Sequence, residues 1–186
     1  MELMVTLAVA GVLATIAVPT MRTFGQNNRL TAAANDFLRS LQLARSEAIK
    51  RQKNVIVCAS ADALAAASTC SYGTFRSWIV VEDSNNNWQS DAGETVIERH
   101  EPIDSTVTVN KDKDGIQSYA PTGYSNPDGV KAETHNVVFC DSRGLGPIGE
   151  NSIGRAMLIT ETGRGRVSRD KDEVQTALTL TGGTCP

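Results

Sequence analysis

The chain has 186 residues, 40% of them hydrophobic, 21% charged and 5% aromatic, with a formal net charge of -3. Length and composition fit one globular domain and exclude a disordered chain, a collagen-like repeat and a polytopic membrane protein. The mild negative charge excludes a general polyanion binder. Charge is nonetheless segregated: residues 1–54 carry seven bases against three acids, 82–104 seven acids against one base, and 143–169 five arginines against two acids.

The first element is an apolar helix. Leu3 to Val18 holds no charge over sixteen residues, slightly short of the ~20 needed to span a bilayer. No basic n-region or small-residue cleavage site marks it as a secretory signal. A carboxylate at the edge of such a run is costly, so Glu2 calls for a reason. The string Met1-Glu2-Leu3-Met4-Val5-Thr6-Leu7-Ala8-Val9 resembles the N-terminal segment of type IV prepilins, whose mature form begins Phe-Thr-Leu-Ile-Glu. The resemblance aligns Glu2 with the fifth mature residue. It implies a basic leader and four mature residues ahead of Met1, which would bring the run to about 20. It further implies cleavage and amine methylation by a prepilin peptidase, anchoring in the inner membrane, and later packing inside a filament. There Glu2 is expected to pair with the N-terminal amine of a neighbouring subunit. Pro19 fits the same pattern and is expected to kink or interrupt the helix.

After Pro19, Phe24, Leu30, Ala33, Ala34, Phe37, Leu38, Leu41, Ala44 and Ala48 recur at steps of three and four. That spacing predicts an amphipathic helix over about 23–53. Its opposite face carries Arg22, Arg29, Arg39, Arg45, Lys50, Arg51 and Lys53, read as a solvated basic face. The string Leu43-Ala44-Arg45-Ser46-Glu47-Ala48-Ile49-Lys50-Arg51 resembles the GspH/FimT family of minor pilins and pseudopilins. Short β runs follow, at Val55–Cys58, Trp78–Val81, Thr95–Arg99, Thr106–Asn110, Asn136–Cys140, Ala156–Thr160 and Ala177–Leu180. Turn signals separate them at Asp114-Gly115, Asn126-Pro127-Asp128-Gly129 and Arg143-Gly144. A long helix followed by strands predicts an α+β arrangement with an antiparallel sheet, which the resemblance identifies as a type IV pilin-like fold. Residues 1–22 are read as the transmembrane and assembly helix, and 23–186 as a periplasmic globular domain.

Cys58, Cys70, Cys140 and Cys185 lack the CxxC spacing of a zinc or redox motif. An even count in an anchored domain fits two disulfides in an oxidising compartment. Of three pairings, Cys58–Cys70 with Cys140–Cys185 is favoured, the first closing a local loop and the second pinning the C-terminus.

Asp83, Asn85, Asn87, Asp91 and Glu94 have the ligand spacing of an EF-hand loop. Trp88 stands where the sharp turn needs glycine, and the flanks read as strands. The segment is therefore read as a hairpin loop with Asx turns, with a calcium site of non-EF geometry as the alternative, and no metal or cofactor is assigned.

Gly163-Arg164-Gly165-Arg166 follows the Ala156–Thr160 run, with Arg169 three residues later. Glycines let the backbone approach a partner, and guanidinium groups suit phosphate through planar paired donors. Phe139-Cys140-Asp141-Ser142-Arg143-Gly144 and Thr162-Gly163-Arg164-Gly165-Arg166-Val167 resemble the C-terminal half of the same family, in which some members bind DNA through a GRxR loop during natural transformation. The resemblance carries that role to Arg164 and Arg166. Arg143 and Arg169 are candidate helpers on charge alone.

No nucleophile elbow, zincin, P-loop or dinucleotide motif is present. His100 and His135 lack metal-ligand spacing, so no enzyme is expected. The implied partners are other major and minor pilins or pseudopilins, the prepilin peptidase, the inner membrane and double-stranded DNA. Three uses remain open: a structural minor pilin at the filament tip, a DNA-binding competence pilin, and a type II secretion pseudopilin.

Overall fold

A computed structural model describes residues 2–71, 75–87, 90, 91, 93–111, 116–125, 136–146 and 151–186. The turns expected at 114–115 and 126–129, together with Trp88 and His135, lie outside these residues.

Helix α1 spans Glu2–Arg51 without a break, about 75 Å at 1.5 Å per residue. Its backbone stays helical through Pro19, so the expected interruption does not occur. No charge falls between Glu2 and Arg22, which makes nineteen uncharged residues, about 28 Å of helix, close to the thickness of a hydrocarbon core. Burial begins only at Leu30. From there the predicted stripe faces inward through Ala33, Ala34, Phe37, Leu41, Ala44 and Ala48. Phe24 does not join it and is 66% exposed, because it lies nearly two turns ahead of the first buried position.

Strands β1 (Asn54–Ala59), β2 (Trp78–Asp83), β3 (Val96–His100) and β5 (Ile116–Tyr119) form one antiparallel sheet in the order β3-β2-β1-β5. Strands β4 (Thr108–Lys111), β6 (Val137–Cys140), β7 (Asn151–Ile159) and β8 (Gly165–Asp170) form a second, ordered β4-β6-β7-β8. Both sheets lean on α1 through alternate residues. Val55, Val57, Trp78, Val80, Phe139, Met157 and Ile159 share a core with the helix stripe. Phe37 is the hub, with edge-on contacts to Phe75 and Trp78 at 5.3 Å each. The buried Trp78 indole N–H donates to Ser40 Oγ at 2.9 Å.

The outward faces need cover of their own, and each gets it from a segment held by a disulfide. On the first sheet Ile56, Cys58, Ile79 and Val81 pack under Ala63 and Cys70, with Cys58 bonded to Cys70 (Cα–Cα 5.5 Å). On the second, Val138, Cys140 and Ala156 pack under Val174, Ala177 and Leu178, with Cys140 bonded to Cys185 (Cα–Cα 5.6 Å). The structure thus has the favoured pairing.

That second cover corrects one expectation. Ala177–Leu180 is not a strand but part of helix α2 (Lys171–Thr181). Asp170 caps it, accepting from the N–H groups of Asp172 and Glu173 at 3.0 Å each. Gly182 closes it at φ 63°. Val174, Ala177 and Leu178 have helical spacing, and the strand reading rested on the local alternation of leucine and threonine downstream.

The described residues of the acidic segment 83–94 are stitched together by their own side chains. The Asn85 and Asn87 amides donate to Asp91 Oδ2 (2.7 and 2.5 Å), and the N–H groups of Ser84 and Asp91 donate to the Glu94 carboxylate (2.8 and 3.0 Å). The Asn87 N–H donates to Asn85 Oδ1 at 3.1 Å, the Asx turn expected from the sequence.

Candidate nucleic-acid interface

The glycines of the Gly163-Arg164-Gly165-Arg166 string are fixed by packing. Strand β7 turns into β8 at 160–164, closed by Thr160 N–H to the Arg164 carbonyl (3.0 Å) and Gly163 N–H to the Thr160 carbonyl (2.8 Å). Gly163 is buried with φ 76°, where a Cβ would lie 2.4 Å from the Gly123 carbonyl oxygen and 3.1 Å from the Tyr119 ring. A Cβ on Gly165 would meet Leu38 of α1 at 3.0 Å. The turn is held against the 119–125 segment. Ser125 N–H donates to the Glu161 carbonyl (3.1 Å), Ser125 Oγ to the Thr160 carbonyl (2.8 Å), and Arg45 Nε of α1 to the Gly123 carbonyl (2.9 Å). Arg45, read from sequence as part of a solvated face, is therefore half-buried and structural.

The arginines divide differently from the sequence expectation. Gly165 and Val167 face α1, whereas Arg166 and Ser168 face α2, both bonded to Glu173. Alternation puts Arg164 on the Arg166 side. Arg164 is exposed, and its guanidinium has no partner among the described residues. Arg166 lies on strand β8, not in a loop, and makes a two-pronged pair with Glu173 at 2.9 and 2.5 Å. Hydrogen bonds from Arg166 and Ser168 lower the Glu173 carboxyl from 4.5 to about 2.

Arg143 and Arg169 do not reach the turn. Arg169 lies next to the end of the same strand, five residues from Arg164, about 16 Å away at 3.3 Å per residue. Arg143 is folded onto Asp141, with contacts of 3.0, 3.1 and 2.6 Å. Burial opposes ionisation of Asp141, yet the Arg143 guanidinium and N–H hold its carboxyl below the usual range. Between them lies Arg155, 3% exposed in an irregular part of the β7–β8 pairing. Its guanidinium donates to the carbonyls of Ser152, Ile153 and Gly154 and to Thr31 Oγ1. Burial, then the positive charges of Arg169 and Arg143, bring Arg155 down to about 10. Arg143 and Arg169 thus form a separate group around Arg155, with Asp141 among them.

Residues 33–168 match the family model of Type II transport protein GspH. The chain belongs to the GspH family. The match ends before α2, so the helix covering the second sheet and Cys185, the partner of Cys140, lie outside the matched stretch. Among solved structures, this GspH-family chain is similar to the type IV minor pilin FimU of Pseudomonas aeruginosa strain PAO1. In one crystal form the TM-score is 0.54 at 19% identity, over 78% of this chain and 92% of that one. In a second form it is 0.50 at 17% identity, over 75% and 92%. It is also similar to the minor pseudopilin EpsH of the Type 2 Secretion System of Vibrio cholerae, with a TM-score of 0.49 at 10% identity, over 76% and 97%. No curated protein matches significantly. The family match and the FimU likeness agree with the α+β, type IV pilin-like fold expected from sequence.

Proposed function

We propose that this GspH-family chain is a minor subunit of a type IV pilus-like filament and that its 160–166 turn contacts double-stranded DNA. The division of α1 carries the first part. Residues 2–24 bury nothing against the domain, and the described large apolar side chains there, from Leu3 to Phe24, are exposed. Such a surface requires lipid or other helices around it. In this reading residues 1–22 anchor the subunit in the inner membrane, with the domain in the periplasm. Assembly then exchanges lipid for neighbouring pilin helices near the filament tip. Glu2, at the edge of the uncharged stretch, gains from a positive partner such as a neighbour's terminal amine. The prepilin peptidase prepares that amine.

The free guanidinium of Arg164, with Arg166 beside it, supports the DNA contact. The Arg166–Glu173 pair is exposed, and pairs of that kind hold weakly enough for phosphate to compete. A second reading, a type II secretion pseudopilin, is favoured by the description of the matching family. One experiment separates them: a deletion strain complemented with the parent, Glu2→Ala or Arg164→Gln, scored for twitching, DNA uptake and protein secretion. The proposal expects Glu2→Ala to fail in both twitching and DNA uptake, and Arg164→Gln to fail in uptake alone. Loss confined to secretion sinks the pilus reading.

A further inference from the structure

The ionic part of the candidate interface is small. Arg164 is its one unpaired guanidinium among the described arginines of the turn, Arg166 is shared with Glu173, and the Glu161 carboxylate is exposed on the same turn. So few phosphate contacts give weak, salt-sensitive attachment. A functioning site of this size needs a contact that salt does not screen. Tyr124 provides one.

Tyr124 is the residue between Gly123 and Ser125, the two through which the 119–125 segment meets the turn. Its neighbour Ser125 is bonded to Thr160 and Glu161, and Gly163 lies against the Gly123 carbonyl. The Arg164 N–H donates to Thr160 Oγ1 at 3.2 Å, on the same turn. The Tyr124 backbone is fixed as well: its carbonyl accepts from Ala120 N–H at 3.0 Å, and Gly123 N–H donates to the Ala120 carbonyl at 2.8 Å. Yet the side chain is 57% exposed. Tyr119, five residues earlier, is by contrast fully buried in the core. A large ring held out to solvent on the segment that props the turn of a free arginine offers the two components of a backbone-contacting surface, a cation for the phosphate and an apolar face for the sugar.

We infer that the Tyr124 ring is a non-ionic DNA contact of this interface, acting together with Arg164. The inference rests on the DNA reading of the turn. It predicts that the two residues contribute to affinity in separable ways, because only the arginine releases counterions from phosphate.

The test uses the full chain in uncharged detergent micelles and a fluorescein-labelled duplex, with fluorescence anisotropy measured across a salt series. Tyr124→Ala is expected to weaken binding severalfold at every salt concentration, leaving the slope of log affinity against log salt unchanged. Tyr124→Phe is expected to bind like the parent, since the ring remains. Arg164→Gln is expected to flatten that slope by about one unit. A thermal melt of each variant shows that it is folded. If the parent binds DNA and Tyr124→Ala binds equally well, the ring contact is overturned while the arginine reading stands. Equal loss in Tyr124→Phe and Tyr124→Ala overturns the ring in favour of the hydroxyl. If the parent binds no duplex even at low salt, the DNA reading falls and this inference falls with it.

Discussion

Replacing Gly163 with alanine separates the structural half of the Gly-Arg-Gly-Arg string from its chemical half. Gly163 has φ 76°, and the new Cβ would lie 2.4 Å from the backbone oxygen of Gly123. Holding alanine in that conformation costs about 1–2 kcal/mol. The overlap is with backbone, so it is relieved only by moving the turn away from the 119–125 segment. That movement loosens the Ser125 N–H to Glu161 carbonyl bond of 3.1 Å and the Ser125 Oγ to Thr160 carbonyl bond of 2.8 Å, each worth about 1 kcal/mol net. The sum is about 3 kcal/mol, or a melting temperature lower by roughly 6–12 °C for a domain of this size. Circular dichroism melts of the full chain in detergent measure it. Arg164→Gln, whose side chain has no partner among the described residues, is expected to stay within about 0.5 kcal/mol of the parent. A Gly163→Ala variant melting within about 2 °C of the parent refutes the claim that packing fixes this glycine.

Two further outcomes follow from the covers and the pair. Removing the Cys140–Cys185 bond, which spans 45 residues, is expected to cost about 4 kcal/mol, and removing Cys58–Cys70, which spans 12, about 3 kcal/mol; urea titrations of the two double-serine variants give the order, and the reverse order contradicts the chain-entropy account. Glu173 has a lowered folded-state value, so its contribution to stability is present above its ordinary 4.5 and is lost as pH falls towards about 2. Glu173→Gln is expected to remove that part of the acid dependence, seen in melts between pH 5 and pH 2, and to strengthen duplex binding at neutral pH by releasing Arg166.

Much of the fold was legible because hydrophobic period and chain order carry it. Six of the seven expected β runs are strands, and the α1 stripe from Leu30 to Ala48 is buried as its spacing required. The misses have local causes. Strand β5 contains Gln117 and Ser118, both buried, so it lacks the apolar run that marks a strand. The start of β7 is hidden by an irregular pairing with β8 in which Arg155 turns back onto the carbonyls of Ser152 and Gly154. Helix α2 carried its signals in the open, an aspartate cap and a closing glycine, but a short alternation of leucine and threonine outweighed them.

The site was less legible, because a motif compresses residues with different reasons for being there. In Gly163-Arg164-Gly165-Arg166 the first glycine answers to Gly123 and Tyr119, and the second to Leu38. All of these contacts come from elsewhere in the chain. Net charge over 143–169 suggested one basic patch, yet pairing geometry splits it. Arg143, Asp141 and Arg169 gather around Arg155, while Arg164 and Arg166 stand towards the other end of β8. A charge count along sequence cannot see this, since residues on one strand diverge by about 3.3 Å per step while residues on neighbouring strands meet. Tyr124 shows the converse. It has no periodic or motif signal of its own and comes to the turn through its neighbours, the packing of Gly123 on Gly163 and the hydrogen bonds of Ser125. On the proposed DNA reading, affinity is expected to depend on the segment that props the turn as well as on the arginines on it. A salt series on Tyr124 and Arg164 variants reads those two contributions apart.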